Sequence, residues 1–263
     1  MRAEMRISER NTTAVLSGVA GFVDIAGFIA LFGMFTAHVT GNLVAFVGVV
    51  ADPTAVGAVA RLAMLPVFMT SVAVAALLTR TIRRRGGAPL RPLLTLMAMA
   101  LAGFCLAGGA FHCAARVRHD WVVTVVAGIG TAAMGVQNTI MRDILKRHSP
   151  TTLMTGNLTT FTIELTDILL PTHAGDLLER ARNRQRLAAS GTPLACFLVG
   201  AIVGGCLTSL VGLWSIAVPA VCTGVLSYAS QKGARKIVVK PLQPPGFAKK
   251  INASAPSELA PLH

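Results

Sequence analysis

Apolar and charged positions are segregated along this chain rather than interleaved. No Asp, Glu, Lys or Arg occurs in 25–51, 62–79, 92–115, 121–141 or 187–231, runs of 18 to 45 residues. A helix needs about 20 predominantly apolar residues to cross a bilayer. The pattern predicts spans over 13–34, 57–79, 91–112, 120–141, 193–211 and 213–230. The last two share one 45-residue uncharged run, too long for a single crossing, with Val211-Gly212 as the expected turn. Two further apolar segments, 38–52 and 151–170, are not assigned by length alone. The predicted fold class is all-α, a polytopic membrane helix bundle.

Composition agrees and excludes other classes. Of the 263 residues, 53% are hydrophobic and 13% charged, with a mean hydropathy of +0.64. Soluble domains carry roughly a quarter charged residues. A soluble enzyme, a disordered chain and a disulfide scaffold are therefore excluded together. The net charge of +13 suggests a polyanion partner at first. Yet the basic residues are separated by lipid-length apolar runs, and aromatics for base stacking make up only 5%, so no nucleic acid is expected. Cys105, Cys113, Cys196, Cys206 and Cys222 show no C-x-x-C spacing and read as small hydrophobes. Arg2, Arg6 and Arg10 precede an apolar stretch as in a signal peptide. That stretch outruns a signal-peptide core of about 7–15 residues, so it is kept as the first span.

An internal repeat is the most informative pattern. Residues 40–52 read TGNLVAFVGVVAD and 155–167 read TGNLTTFTIELTD, matching at six of thirteen positions with an offset of 115. Upstream, Gly21-Phe22-Val23-Asp24 corresponds to Gly135-Val136-Gln137-Asn138 with an offset of 114. Hydrophobic composition does not place Thr, Gly, Asn and Asp at matching positions, so the halves read as a duplication. The organisation is then a basic cytoplasmic N-terminus (1–12), repeat 1 (13–112), repeat 2 (113–230) and a basic, Pro-rich cytoplasmic tail (231–263) expected to be disordered. Within repeat 2, the basic cytoplasmic segment 174–190 is either a helix on anionic lipid or a solvated loop.

Charge placement chooses between topologies. If both TGN segments cross, there are eight spans, with 16 Lys and Arg inside and 8 outside. If both enter and leave on one face, there are six spans, and 21 of 24 fall inside; Arg61, Arg116 and Arg118 remain outside. Because Lys and Arg hold short loops in the cytoplasm, six spans plus two short or re-entrant TGN helices is the expectation. Three spans per repeat is an odd number, so the repeats are inverted, an arrangement that recurs in transporters.

Candidate chemistry follows from the repeated boxes. Thr40, Gly41 and Asn42, and likewise Thr155, Gly156 and Asn157, could cap a short helix or offer a polar site at its positive end. Asp24 lies about eleven residues into the first span, where a lone carboxylate is costly, and is the candidate proton or cation site. Gln137 and Asn138 could line the same cavity or join helices. Arg142 and Asp143 read as an interfacial pair, Glu164 and Asp167 as groups at the cytoplasmic mouth, and His38 as an interfacial hydrogen bonder. The G-x-x-x-G at Gly200–Gly204 fits close packing within the monomer, with a homo-oligomer as the other use.

Taken together, Gly21-Phe22-Val23-Asp24, Phe28, Phe35, His38 and Thr40-Gly41-Asn42-Leu43 resemble the YoaK-like family of uncharacterised bacterial integral membrane proteins. Met134-Gly135-Val136-Gln137-Asn138 and Met154-Thr155-Gly156-Asn157 are similar to that family's second signature, and the resemblance covers 14–230. It implies a bacterial inner-membrane location and supplies no activity and no catalytic residues.

No phosphate loop, nucleophile elbow or H-E-x-x-H motif occurs, so no enzyme activity, cofactor or metal is expected. The expected function is a secondary transporter or facilitative channel for a small solute, with a polar site between the two boxes and membrane lipid as surroundings. The rival is a non-transport membrane scaffold, sensor or lipid-interacting protein.

Overall fold

Inside a bilayer the backbone must satisfy its own hydrogen bonds, and uncharged runs of Leu, Ala, Val and Met do so as helices. A computed structural model describes residues 2–50, 58–113, 120–145, 154–170 and 177–238, and among these every regular element is helical. In order they are α1 (Arg2–Ala30), α2 (Val39–Val50), α3 (Ala58–Arg84), α4 (Leu90–Cys113), α5 (Asp120–Thr139), α6 (Met154–Leu169), α7 (Leu177–Val211) and α8 (Ala217–Val238). Five stretches are long and apolar enough to cross a membrane: 9–30, 58–84, 90–110, 121–144 and 182–230. The last takes in most of α7 and α8, which meet at a tight turn over Gly212–Ile216, where the sequence places it.

Several boundaries differ from expectation. α1 stops at Ala30, four residues early, because the chain reverses through Phe32 (φ 55°) and Gly33 (φ 73°). The basic segment 177–190 is neither a separate surface helix nor a loop. It is the first part of the 35-residue α7, continuous with the span. α8 continues into the expected disordered tail as far as Val238; the rest of that tail lies outside the described residues.

Serine and threonine hydroxyls in the helices return to the carbonyl four residues earlier, which lets polar residues sit in apolar surroundings. Ser17 bonds Thr13 O, Thr79 bonds Ala75 O, and in Thr-rich α6 the hydroxyls of Thr159, Thr162 and Thr166 do the same in succession. Apolar side chains such as Val44, Val59, Leu210 and Val221 point outward, forming a surface suited to lipid rather than water.

The helices pack in pairs. α1 lies along α7, and α3 along α5; α2 rests on α3, and α6 on α7; α4 packs against α8 and α5. α1 and α7 approach so closely that a β-carbon at Gly21 would collide with the Phe197 carbonyl, and one at Gly200 with the Gly18 carbonyl. The 200–204 glycine pair is thus used within the chain, against α1. α3 and α5 repeat the device, with Gly135 seated against Ser71. Both pairs run parallel. Thr192 contacts Arg10 near the start of α1, and Gly205 lies by Ile29 near its end, while Met64 meets Thr131 and Arg83 meets Asp143. α4 and α8 are antiparallel, since Thr95 bonds Ser227 at one end and Gly108 packs on Leu213 at the other.

Candidate functional site

The reversal after α1 builds the site. Residues 31–38 double back along α1 until Thr36, Ala37 and His38 lie beside Asp24. Asp24 Oδ1 then accepts hydrogen bonds from the backbone N–H groups of Thr36 (2.9 Å), Ala37 (2.7 Å) and His38 (3.3 Å). Its Oδ2 lies 2.6 Å from His38 Nδ1. Asp24 is 5% exposed, so these donors replace the water its carboxylate has lost. The Thr36 hydroxyl adds a bond to Val23 O.

Two more side chains clamp the same segment. Asn42, fully buried, accepts from Phe35 N–H (2.8 Å) and donates to Phe35 O (2.6 Å), closing a loop that no helix satisfies. From the first turn of α3, Arg61 donates to Gly33 O (2.8 Å) and Phe32 O (2.6 Å). Arg61 therefore acts as the hairpin's third clamp, a role its expected place among the outside charges did not suggest.

α2 begins where the hairpin ends, at the level of Asp24. A cavity of about 540 Å³ opens there between α2, α3 and the end of α5. One wall is apolar, with Leu65, Phe68, Met69, Val72 and Ala76 from one face of α3. Opposite are His38 and Thr40 at the start of α2, and Asn138, Thr139, Arg142 and Asp143 from α5 and the turn that follows it. That turn, Ile140–Ile144, is a π-turn in which Leu145 N–H reaches back five residues to Ile140 O. Such turns recur at functional sites.

The expected interfacial pair of Arg142 and Asp143 is not formed. Adjacent residues on a helix point in different directions, and Asp143 instead pairs with Arg83 of α3 at 3.1 Å, leaving Arg142 in the cavity wall. His38, expected to act as a lone interfacial group, is the partner of Asp24 because the hairpin carries it back fourteen positions.

Of the candidate residues, Thr40 and Asn138 share the cavity, and Asp24 stands one side chain behind it through His38. Gly41 sits under the Phe35 ring, and Asn42 is turned into the hairpin. Gln137 donates to Leu16 O (2.7 Å), joining α5 to α1. In the second box Thr155 and Gly156 are exposed and Asn157 is buried, a division that repeats exposed Thr40 and buried Asn42. The second box does not line this cavity. α6 lies on α7, where Glu164 bonds the Ser190 hydroxyl and a smaller cleft of about 230 Å³ holds Asp167 near Arg186. The segment preceding that box, 146–153, lies outside the described residues. Among the described residues no cluster of His, Cys, Asp and Glu could hold a metal.

A family model for proteins of unknown function, DUF1275, matches residues 12–229 and so takes in every helix that builds the cavity. The chain belongs to the DUF1275 family. No curated protein and no solved structure matches it. This DUF1275 member is thus an integral membrane-type helical protein of an uncharacterised family, as its signature residues imply.

Proposed function

We propose that this protein is a multi-pass inner-membrane secondary transporter or facilitative channel for a small solute. The observation that carries the reading is the cavity at the inner end of α2, which combines an apolar wall with polar groups beside a buried carboxylate. Pockets that orient small molecules have this make-up. Asp24 is the proton or cation site, reaching the cavity through His38, and no covalent chemistry takes place.

The packing supports six spans in two inverted repeats, and the 21 basic residues falling on one side support termini in the cytoplasm. Exchanging α1 with α5, α2 with α6, α3 with α7 and α4 with α8 maps the α1–α7 contact onto α5–α3, and the α2–α3 contact onto α6–α7. The α4–α8 contact maps onto itself. α2 has 12 residues, about 18 Å of helix, roughly half a bilayer core, which suits a re-entrant element. Buried Asn42 and Asn157 occupy equivalent places in the two half-helices.

Purified protein in liposomes should move at least one solute from a small-metabolite panel, and a proton gradient should drive it. Asp24→Asn should make that flux independent of the gradient. Folded protein that moves no solute would favour the non-transport reading, for which the exposed Arg182, Arg184 and Arg186 at the start of α7 offer a surface for lipid or a partner. Gradient-driven flux in Asp24→Asn would remove the coupling role while leaving transport intact.

A further inference from the structure

We infer that the cavity takes a small amphipathic anion, an apolar body carrying one carboxylate, with Arg142 as its counter-ion. The inference rests on the cavity being the solute site and adds the chemical class of the solute. It follows from the charges in the wall. Asp143 is neutralised by Arg83, whose Nη1 reaches both carboxylate oxygens (3.1 and 3.2 Å) and whose Nη2 reaches the Asp143 carbonyl (3.0 Å). His38 is engaged by Asp24, itself held by three backbone donors. Among the described residues, no hydrogen bond or salt bridge engages the Arg142 guanidinium. The wall therefore presents one uncompensated positive charge.

A neutral solute would leave that charge unused, and a cation would be repelled by it. A carboxylate can exchange the hydration of an exposed guanidinium for paired charge-assisted hydrogen bonds. The rest of the wall selects for an apolar body. Leu65, Phe68, Met69 and Val72 stand at i, i+3, i+4 and i+7, forming one continuous apolar stripe of α3 opposite the polar groups. Asn138 and Thr40 leave room for a polar substituent, and the positive end of α2 faces the same space.

Benzoate, benzamide and benzylamine test the class, because they share one ring and differ in charge. Binding is measured by saturation-transfer NMR and thermal unfolding on the full chain in zwitterionic nanodiscs. Benzoate should bind and stabilise the protein, and the amide and amine should not. Arg142→Gln should weaken benzoate binding by about tenfold or more, and Arg142→Lys should retain part of it. Val72→Phe, which fills the apolar end, should abolish binding while Arg142 remains in place.

Equal binding of benzamide, or undiminished benzoate binding by folded Arg142→Gln, overturns the inference and leaves transport standing. So does loss of benzoate binding when phosphatidylglycerol is added, since the anion seat would then belong to lipid headgroups. Benzoate binding without flux of any solute in liposomes sinks the transport reading and keeps the anion site.

Discussion

A carboxylate at the depth of Asp24 costs about 2.5 kcal/mol or more in a membrane helix unless it is given partners. Here those partners are mostly backbone: three N–H groups that a reversing chain would otherwise leave unpaired. Asn42 performs the same service for both polar groups of Phe35. Stability measurements should register these roles. Asn42→Ala strands a buried donor and a buried acceptor and should destabilise the protein by about 2–4 kcal/mol, read by thermal or denaturant unfolding in detergent. Asp24→Ala should cost about 3 kcal/mol or more, and Asp24→Asn less, because the amide oxygen still accepts from Thr36 and Ala37. An unchanged unfolding midpoint in Asn42→Ala, with flux lost, would mean that the amide serves the solute and not the hairpin. The sequence marks Asp24 and Asn42 as unusual because polar residues in apolar runs stand out. Their partners were hidden. Phe35, Thr36 and Ala37 contribute only backbone N–H and C=O, which every residue type carries, and His38 is fourteen positions from Asp24.

Among the elements, α3, α4 and α5 were legible within a few residues because charged residues bracket them: Arg61 and Arg80, Arg91 and Arg116, Asp120 and Arg142. The hairpin was not, because Leu31, Phe32, Met34 and Phe35 continue the hydropathy of the first span while their backbone leaves the helix. Only Gly33 at φ 73° signals the reversal, and a glycine in a membrane helix is too common to be decisive. Glycines also separate packing positions from open ones. Gly200→Leu pushes a side chain into the Gly18 backbone and should part α1 from α7, costing about 3 kcal/mol or more or preventing folding. Gly156 in the second box has nothing within 4 Å of an added β-carbon. Gly156→Ala should therefore leave the unfolding midpoint unchanged or raise stability by up to about 1 kcal/mol, since alanine favours helix. A marked loss of stability in Gly156→Ala would show that α6 meets a surface beyond α7.

At the scale of the molecule, the directions of three helix pairs bear on the proposed topology. Parallel α1 and α7 require an odd number of crossings between them, so the two TGN helices must both cross or both turn back. Either choice keeps α3 parallel to α5. The α4–α8 pair separates them: eight spans would make these helices parallel, whereas Thr95 meets Ser227 and Gly108 meets Leu213, an antiparallel contact. Six crossings satisfy all three pairs. The positive-inside count reaches the same arrangement independently, from 21 basic residues on one side. Reporter insertions test both arguments at once. A cytoplasmic fluorescent reporter inserted after Gly87 should glow, and a periplasm-activated phosphatase there should stay silent, because the six-span reading puts the end of α3, beside the Arg83–Asp143 pair, inside. Phosphatase fused after Val50 should be active, since in that reading α2 returns to the face from which it entered. Eight spans reverse both results. A reversal at Val50 without one at Gly87 would require α3 not to cross, although its 27 residues are long and apolar enough to do so.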